Sequence, residues 1–128
     1  MPKLTLQLLE QTFSIHSLPA NSKIPEQVFA ANIYFIGKTN DEVSIVLPEH
    51  IQIDSDDVEA GWQALEVVGP LGFSLTGILS KISTVLAGEQ ISIFAISTFD
   101  TDYILVKKAK IQATIIALQA NDYQILTS

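Results

Sequence analysis

Two carboxylates stand two residues apart in the short polar segment Ser97-Thr98-Phe99-Asp100-Thr101-Asp102. Apolar runs flank it, Ile91 to Ile96 before and Tyr103 to Val106 after. Runs of this length bounded by polar residues read as strands, so a hairpin with two acids at its tip is predicted. If the tip stays extended, Asp100 and Asp102 point the same way, because strand side chains alternate. A carboxylate held there can accept hydrogen bonds from an ammonium or guanidinium group. Asp is also a common turn residue that caps its own backbone, which leaves two acids in water as the alternative.

The second candidate is Gly69-Pro70-Leu71-Gly72-Phe73-Ser74-Leu75-Thr76-Gly77, a strand-to-helix turn. Free backbone N–H groups at a helix N-terminus attract a carboxylate. Gly72 and Gly77 allow close approach of a ligand or a neighbouring backbone. Ser74 or Thr76 can donate a hydroxyl; equally, Ser74 is the helix cap and Gly77 a packing glycine. No Gly-Lys-Ser ending marks a phosphate loop. An α-amino acid needs one group for its carboxylate and one for its ammonium. The turn and Asp102 supply one each, with Asp100 as the cap of the hairpin turn.

Catalysis is poorly supported. His16 lies in an alternating segment and reads as surface; His50 follows Pro48-Glu49 and reads as loop. No metalloprotease, hydrolase-elbow or paired-cysteine motif is present. Asp54, Asp56, Asp57 and Glu59 cluster, but the glycine and final glutamate of a calcium loop are missing, so a solvated segment is expected. With no cysteine there is no disulfide, thiolate zinc site or thiol nucleophile. The net charge of -7 disfavours nucleic acid and anionic membranes. All basic residues are Lys, so no arginine fork is available for a carboxylate or phosphate. The N-terminal segment does not read as a signal peptide, and Lys81 and Glu89 interrupt the longest apolar region, so a soluble cytoplasmic protein is expected.

The 128 residues, 48% apolar, suffice for one domain or two very small ones sharing a core. Trp62 to Val68 reads as a strand. Leu75, Ile78, Leu79, Ile82, Val85 and Leu86 keep helical spacing, with Gly88 as the stop. The hairpin follows. Ile111, Ile115 and Leu118 mark a second helix ending near Asn121, and Tyr123 to Leu126 a last strand. The order is βαββαβ. The first half is a blurred copy. Leu4 to Leu9 and Thr12 to Leu18 read as strands, Ile24 to Ala31 as a helix begun by Pro25, and Asp54 to Ala60 as the remnant of a second. Phe35–Leu47 matches Ala95–Lys107 at an offset of about 60 residues, pairing Asn40 with Asp100 and Glu42 with Asp102. The run from Ile91 to Thr98 is apolar on both faces, so its second face should be covered by the other half of the chain or by another subunit.

VVGPLGFSLTGILSKIS and ISIFAISTFDTDYILV resemble the ACT domains, small amino-acid-binding regulatory modules, and most of all the small bacterial tandem-ACT proteins. The ACT pairs of aspartate kinases and the cytosolic arginine sensors are more distantly similar. The resemblance is strong from Trp62 to about Leu118 and weaker through TNDEVSIV. Gly72 stands where many relatives are acidic, so no side-chain role carries over there. The resemblance implies an α+β fold of two tandem ferredoxin-like (βαββαβ) ACT units, with antiparallel sheets and helices on one face. Residues 1–60 would be the degenerate unit and 61–128 the full ACT domain. It implies a ligand at an interface between units, held by the turn (Leu71, Gly72, Phe73, Ser74, Thr76, Gly77) and a neighbouring strand and tip (Ile96, Ser97, Thr98, Phe99, Asp100, Asp102). In the arginine sensors the acid matching Asp102 faces the ligand's basic group. A non-catalytic amino-acid sensor without cofactor, working as a homodimer, is the expectation. The alternative is an ACT-shaped dimer that docks on a protein and binds no small molecule.

Overall fold

The computed structural model describes residues 4–68 and 77–127. The fold is mixed α+β. In chain order the elements are β1 (Thr5–Pro19), a 3-10 helix (Glu26–Ala30), β2 (Phe35–Lys38), β3 (Glu42–Pro48) and β4 (Asp57–Val68). Then come α1 (Ile78–Gly88), β5 (Phe94–Ser97), β6 (Asp102–Lys107), a second 3-10 turn (Lys108–Lys110), α2 (Ile111–Ala120) and β7 (Gln124–Leu126). The chain divides into two compact units. One is Gln11–Trp62; the other joins the residues up to Glu10 to the chain from Gln63 onward.

In the Gln11–Trp62 unit the strand order is β2-β3-β1-β4. β1 and β3 pair antiparallel, with His16 opposite Ile45 and Leu18 opposite Val43. Opposed residues share a face. Leu18, Val43, Ile45 and Leu47 therefore line one side together, and Val28 joins them in the core. The expected helix after Pro25 is only a 3-10 turn, because Val28 is its one buried residue and Ala31 is already extended. The expected helical remnant at Asp54–Ala60 is absent. Asp57 opens β4 instead, and the Asp56 N–H donates to the Ser17 carbonyl at 2.9 Å. That segment has no apolar residue to bury at helical spacing: Val58 and Ala60 are both exposed.

In the other unit the strand order is β7-β1-β4-β6-β5. The first residues of β1 pair parallel with β7, Thr5 with Gln124 through Gln7 with Leu126. The sequence order after Gln63 is the expected βαββαβ, yet its sheet also takes in a strand from the start of the chain. β1 is one continuous strand, Thr5–Pro19, where two strands, Leu4 to Leu9 and Thr12 to Leu18, were expected. Ile82 and Leu86 of α1 and Ile111, Ile115 and Leu118 of α2 pack with Leu6, Leu65, Val67, Ile104 and Val106. Fully burying each such side chain contributes about 1.5–3 kcal/mol.

Both helices of this unit end alike. The Ile91 N–H bonds back to the Leu86 carbonyl at 2.9 Å, and the Tyr123 N–H to the Leu118 carbonyl at 3.1 Å. The residue before each closing donor is left-handed, Gln90 at φ 60° and Asp122 at φ 72°. This is the Schellman arrangement, and it carries Ile91 and Tyr123 straight into the core. Gly88, expected as the stop, is the last helical residue; the left-handed position belongs to Gln90.

Candidate functional site

The hairpin predicted around the two acids forms, with Ser97 opposite Asp102 and Ile96 opposite Tyr103. β5 begins only at Phe94, so Ile91 and Ile93 precede the ladder. The tip is a tight turn. The Thr98 N–H donates to the Thr101 carbonyl at 2.8 Å, and Thr98 Oγ1 accepts from the Thr101 N–H at 3.2 Å. Because the tip is turned rather than extended, alternation does not align Asp100 with Asp102. Asp100 is exposed in the turn, as is Phe99 at 82%. Asp102 opens β6 and is half-buried. It shares its strand face with Ile104 and Val106, the face packed by the helices.

The Ser97 hydroxyl donates to Asp102 Oδ1 at 2.6 Å. A cross-strand bond of this kind fixes the carboxylate's direction and leaves its second oxygen for another donor. The Thr101 hydroxyl donates to the Val67 carbonyl, which ties the tip to the end of β4. The Tyr103 hydroxyl donates to Glu66 Oε2 at 3.4 Å. Burial, with the negative charges of Glu66 and Asp100, pushes the Tyr103 phenol up from its ordinary value.

Of the predicted turn, Leu71, Gly72, Phe73, Ser74 and Thr76 lie outside the described residues. Gly77 is described. It caps α1 with φ 74°, and its carbonyl accepts the Lys81 N–H at 2.9 Å. A left-handed residue here calls for glycine. A Cβ on Gly77 would lie 4.0 Å from the Lys81 Cε, so the Lys81 side chain runs beside the helix start. Sequence reasoning missed Lys81. Its place four residues after Gly77, on the same side of a helix, was the available signal.

The first-half hairpin is built like the second but one residue out of the expected step. The Thr39 N–H donates to the Glu42 carbonyl at 2.9 Å, and Thr39 Oγ1 accepts from the Asp41 and Glu42 N–H groups at 3.1 and 3.2 Å. Lys38 pairs with Val43, as Ser97 pairs with Asp102. Thr39 thus corresponds to Thr98, Asp41 to Asp100 and Val43 to Asp102. The Asp102 position is apolar in the first hairpin, so only the second carries an acid on its face.

His16 is not a surface residue. It is 6% exposed, and its Nδ1 lies 2.9 Å from Ser55 Oγ while Nε2 is buried with no partner. Its parity with Leu18 on β1 was the signal for this. Burial lowers the imidazole's pKa from 6.5. His50 is exposed. Among the described residues no three His, Asp or Glu side chains gather in a way that could hold a metal, and no helix is long and apolar enough to cross a membrane.

Comparison with known proteins places these features. A family profile described as the ACT domain matches residues 57–120. The human cytosolic arginine sensor for mTORC1 subunit 1 is 31% identical in an alignment 130 positions long that covers 93% of this chain and 39% of that protein. The chain thus spans about two-fifths of the length of the curated relatives it matches. A crystal structure of a protein from Agobacterium tumefaciens superposes with a TM-score of 0.91 at 31% identity, covering 100% of this chain and 96% of that one. E. coli aspartokinase III, solved with aspartate and ADP, shares the fold with a TM-score of 0.65 at 14% identity over 94% of this chain and 34% of its own. A βαββαβ order, an acid-bearing hairpin tip and these matches lead to one conclusion: the chain belongs to the ACT domain family.

Proposed function

We propose that this protein binds a free amino acid and acts as a regulatory sensor with no reaction of its own. The observation that carries the reading is Asp102: half-buried, on the helix-packed face, and held by the Ser97 hydroxyl at 2.6 Å. An acid fixed this way suits a ligand ammonium or guanidinium. The turn from Leu71 to Gly77 would offer backbone N–H groups to the ligand's carboxylate, with the Lys81 ammonium within reach of the same helix start. Ile96, Ser97, Thr98 and Phe99 would flank the ligand, with Asp100 as a turn cap. Similarity to an arginine sensor supports a basic or simply zwitterionic amino acid.

The domain assignment belongs to the same reading: a reduced ACT-like unit over residues 1–60 and an ACT domain over 61–128, the segment through Glu10 lending a strand to the second. The matching Thr39 and Thr98 turns support a duplication. So does the family's habit of pairing units. A homodimer in the cytoplasm is part of the proposal.

A docking module is the second reading, favoured by Phe99, 82% exposed at the hairpin tip. A thermal-shift screen of the twenty amino acids separates the two. A ligand at one hundred times its Kd stabilises by about 2.7 kcal/mol, several degrees for a domain of this size. A shift with one amino acid supports the sensor; no shift with any supports the docking module.

A further inference from the structure

The Gln11–Trp62 unit holds a cavity of about 420 Å³ of its own, walled by His16, Glu49, Ile51, Ile53 and Val58. It opens where a second helix was expected and the chain instead runs as the irregular segment that carries Ser55. The volume falls in the range of small-molecule pockets. We propose that this cavity is a second, independent ligand site, and that it takes a primary alkylammonium with a branched apolar body and no carboxylate.

Three observations define the chemistry. First, Glu49 Oε2 accepts the Gly61 N–H, which fixes a carboxylate in the wall; its other oxygen has no partner among the described residues. Second, the His16 ring is nine-tenths buried, and its Nε2 is an orphan screened from solvent. Burial disfavours the charged ring, and in the tautomer the proposal requires, Nδ1–H donates to Ser55 Oγ and Nε2 is left a bare acceptor. An N–H brought to it displaces no water, so the bond is gained without desolvating the acceptor. Third, no Lys lines the cavity and the chain has no Arg. An anion would meet Glu49 with no cation to offset it; Ser14 and Gln52 are the other polar groups of the lining. With the Glu49 carboxylate in the wall, Nε2 as an acceptor in that tautomer, and no cation in the lining, a donor-rich head is selected. Ile51, Ile53 and Val58 select an apolar tail.

The test uses the intact protein and 3-methylbutylamine, with 3-methylbutanoate and leucine as counterparts. The chain has two histidines, and exposed His50 serves as internal reference. Long-range nitrogen NMR of the imidazoles reads each ring nitrogen. The amine should move the His16 Nε2 resonance and leave His50 in place, while 3-methylbutanoate moves neither. Glu49→Gln keeps an acceptor for the Gly61 N–H but removes the charge. It should weaken amine binding about tenfold or more, as loss of a charged partner does, with the protein still folded by its amide spectrum. The proposal is overturned if millimolar amine leaves His16 unmoved, if the carboxylate moves it equally, or if Glu49→Gln binds the amine as wild type does. Leucine binding that leaves His16 untouched speaks to the Asp102 site alone, so the two readings fail separately.

Discussion

At the residue scale, two left-handed positions show how the backbone accepts strain to return the chain to its core. Gln90 and Asp122 each hold a positive φ so that Ile91 and Tyr123 can be buried. A left-handed residue with a side chain costs roughly 1–2 kcal/mol, less for Asp and Asn. Gln90→Gly should therefore raise stability to urea by up to about 1 kcal/mol, and Asp122→Gly by less. His16 gives a second residue-level expectation. Burial lowers its pKa below 6.5, so the unfolded chain takes up a proton that the folded chain refuses. Stability from this site is complete above about pH 6.5 and is lost as pH falls through the lower folded value. Between about pH 7.5 and 5.5 the melting temperature of wild type should fall further than that of His16→Gln, which lacks the titration.

At the element scale, the hairpin from Phe94 to Lys107 is tied to β4 by the Thr101 hydroxyl on the Val67 carbonyl and by the Tyr103 hydroxyl on Glu66. Thr101→Val keeps the shape and removes that bond. It should cost about 1 kcal/mol and speed amide exchange at the tip. This hairpin and both helices were legible because their signals are local: apolar residues at helical spacing, and two apolar runs around a polar turn. The elements that escaped depend on distant partners. β1 runs unbroken through Glu10-Gln11 because its two ends find different strands to pair with, β7 and β3. The Asp54–Ala60 segment joins a sheet because its backbone donors meet β1, as Asp56 meets Ser17. Within the site, the carboxylate at Asp102 was legible and its orientation by Ser97 was not, since that bond exists only once the strands are in register.

At the scale of the whole molecule, the sensor reading requires a ligand, and Asp102 is the contact that tests it most sharply. The homodimer it includes is checked by light scattering at tens of micromolar, an order of magnitude suited to a real interface; twice the monomer mass is expected. The central claim is tested most directly by calorimetric titration of the amino acid that the thermal screen selects, into wild type, Asp102→Ala and Asp100→Ala. A charge-assisted bond to a ligand is worth about 1.5–3 kcal/mol. Asp102→Ala should thus bind roughly tenfold to a hundredfold more weakly, while Asp100→Ala binds as wild type. Wild-type affinity in Asp102→Ala would contradict the account.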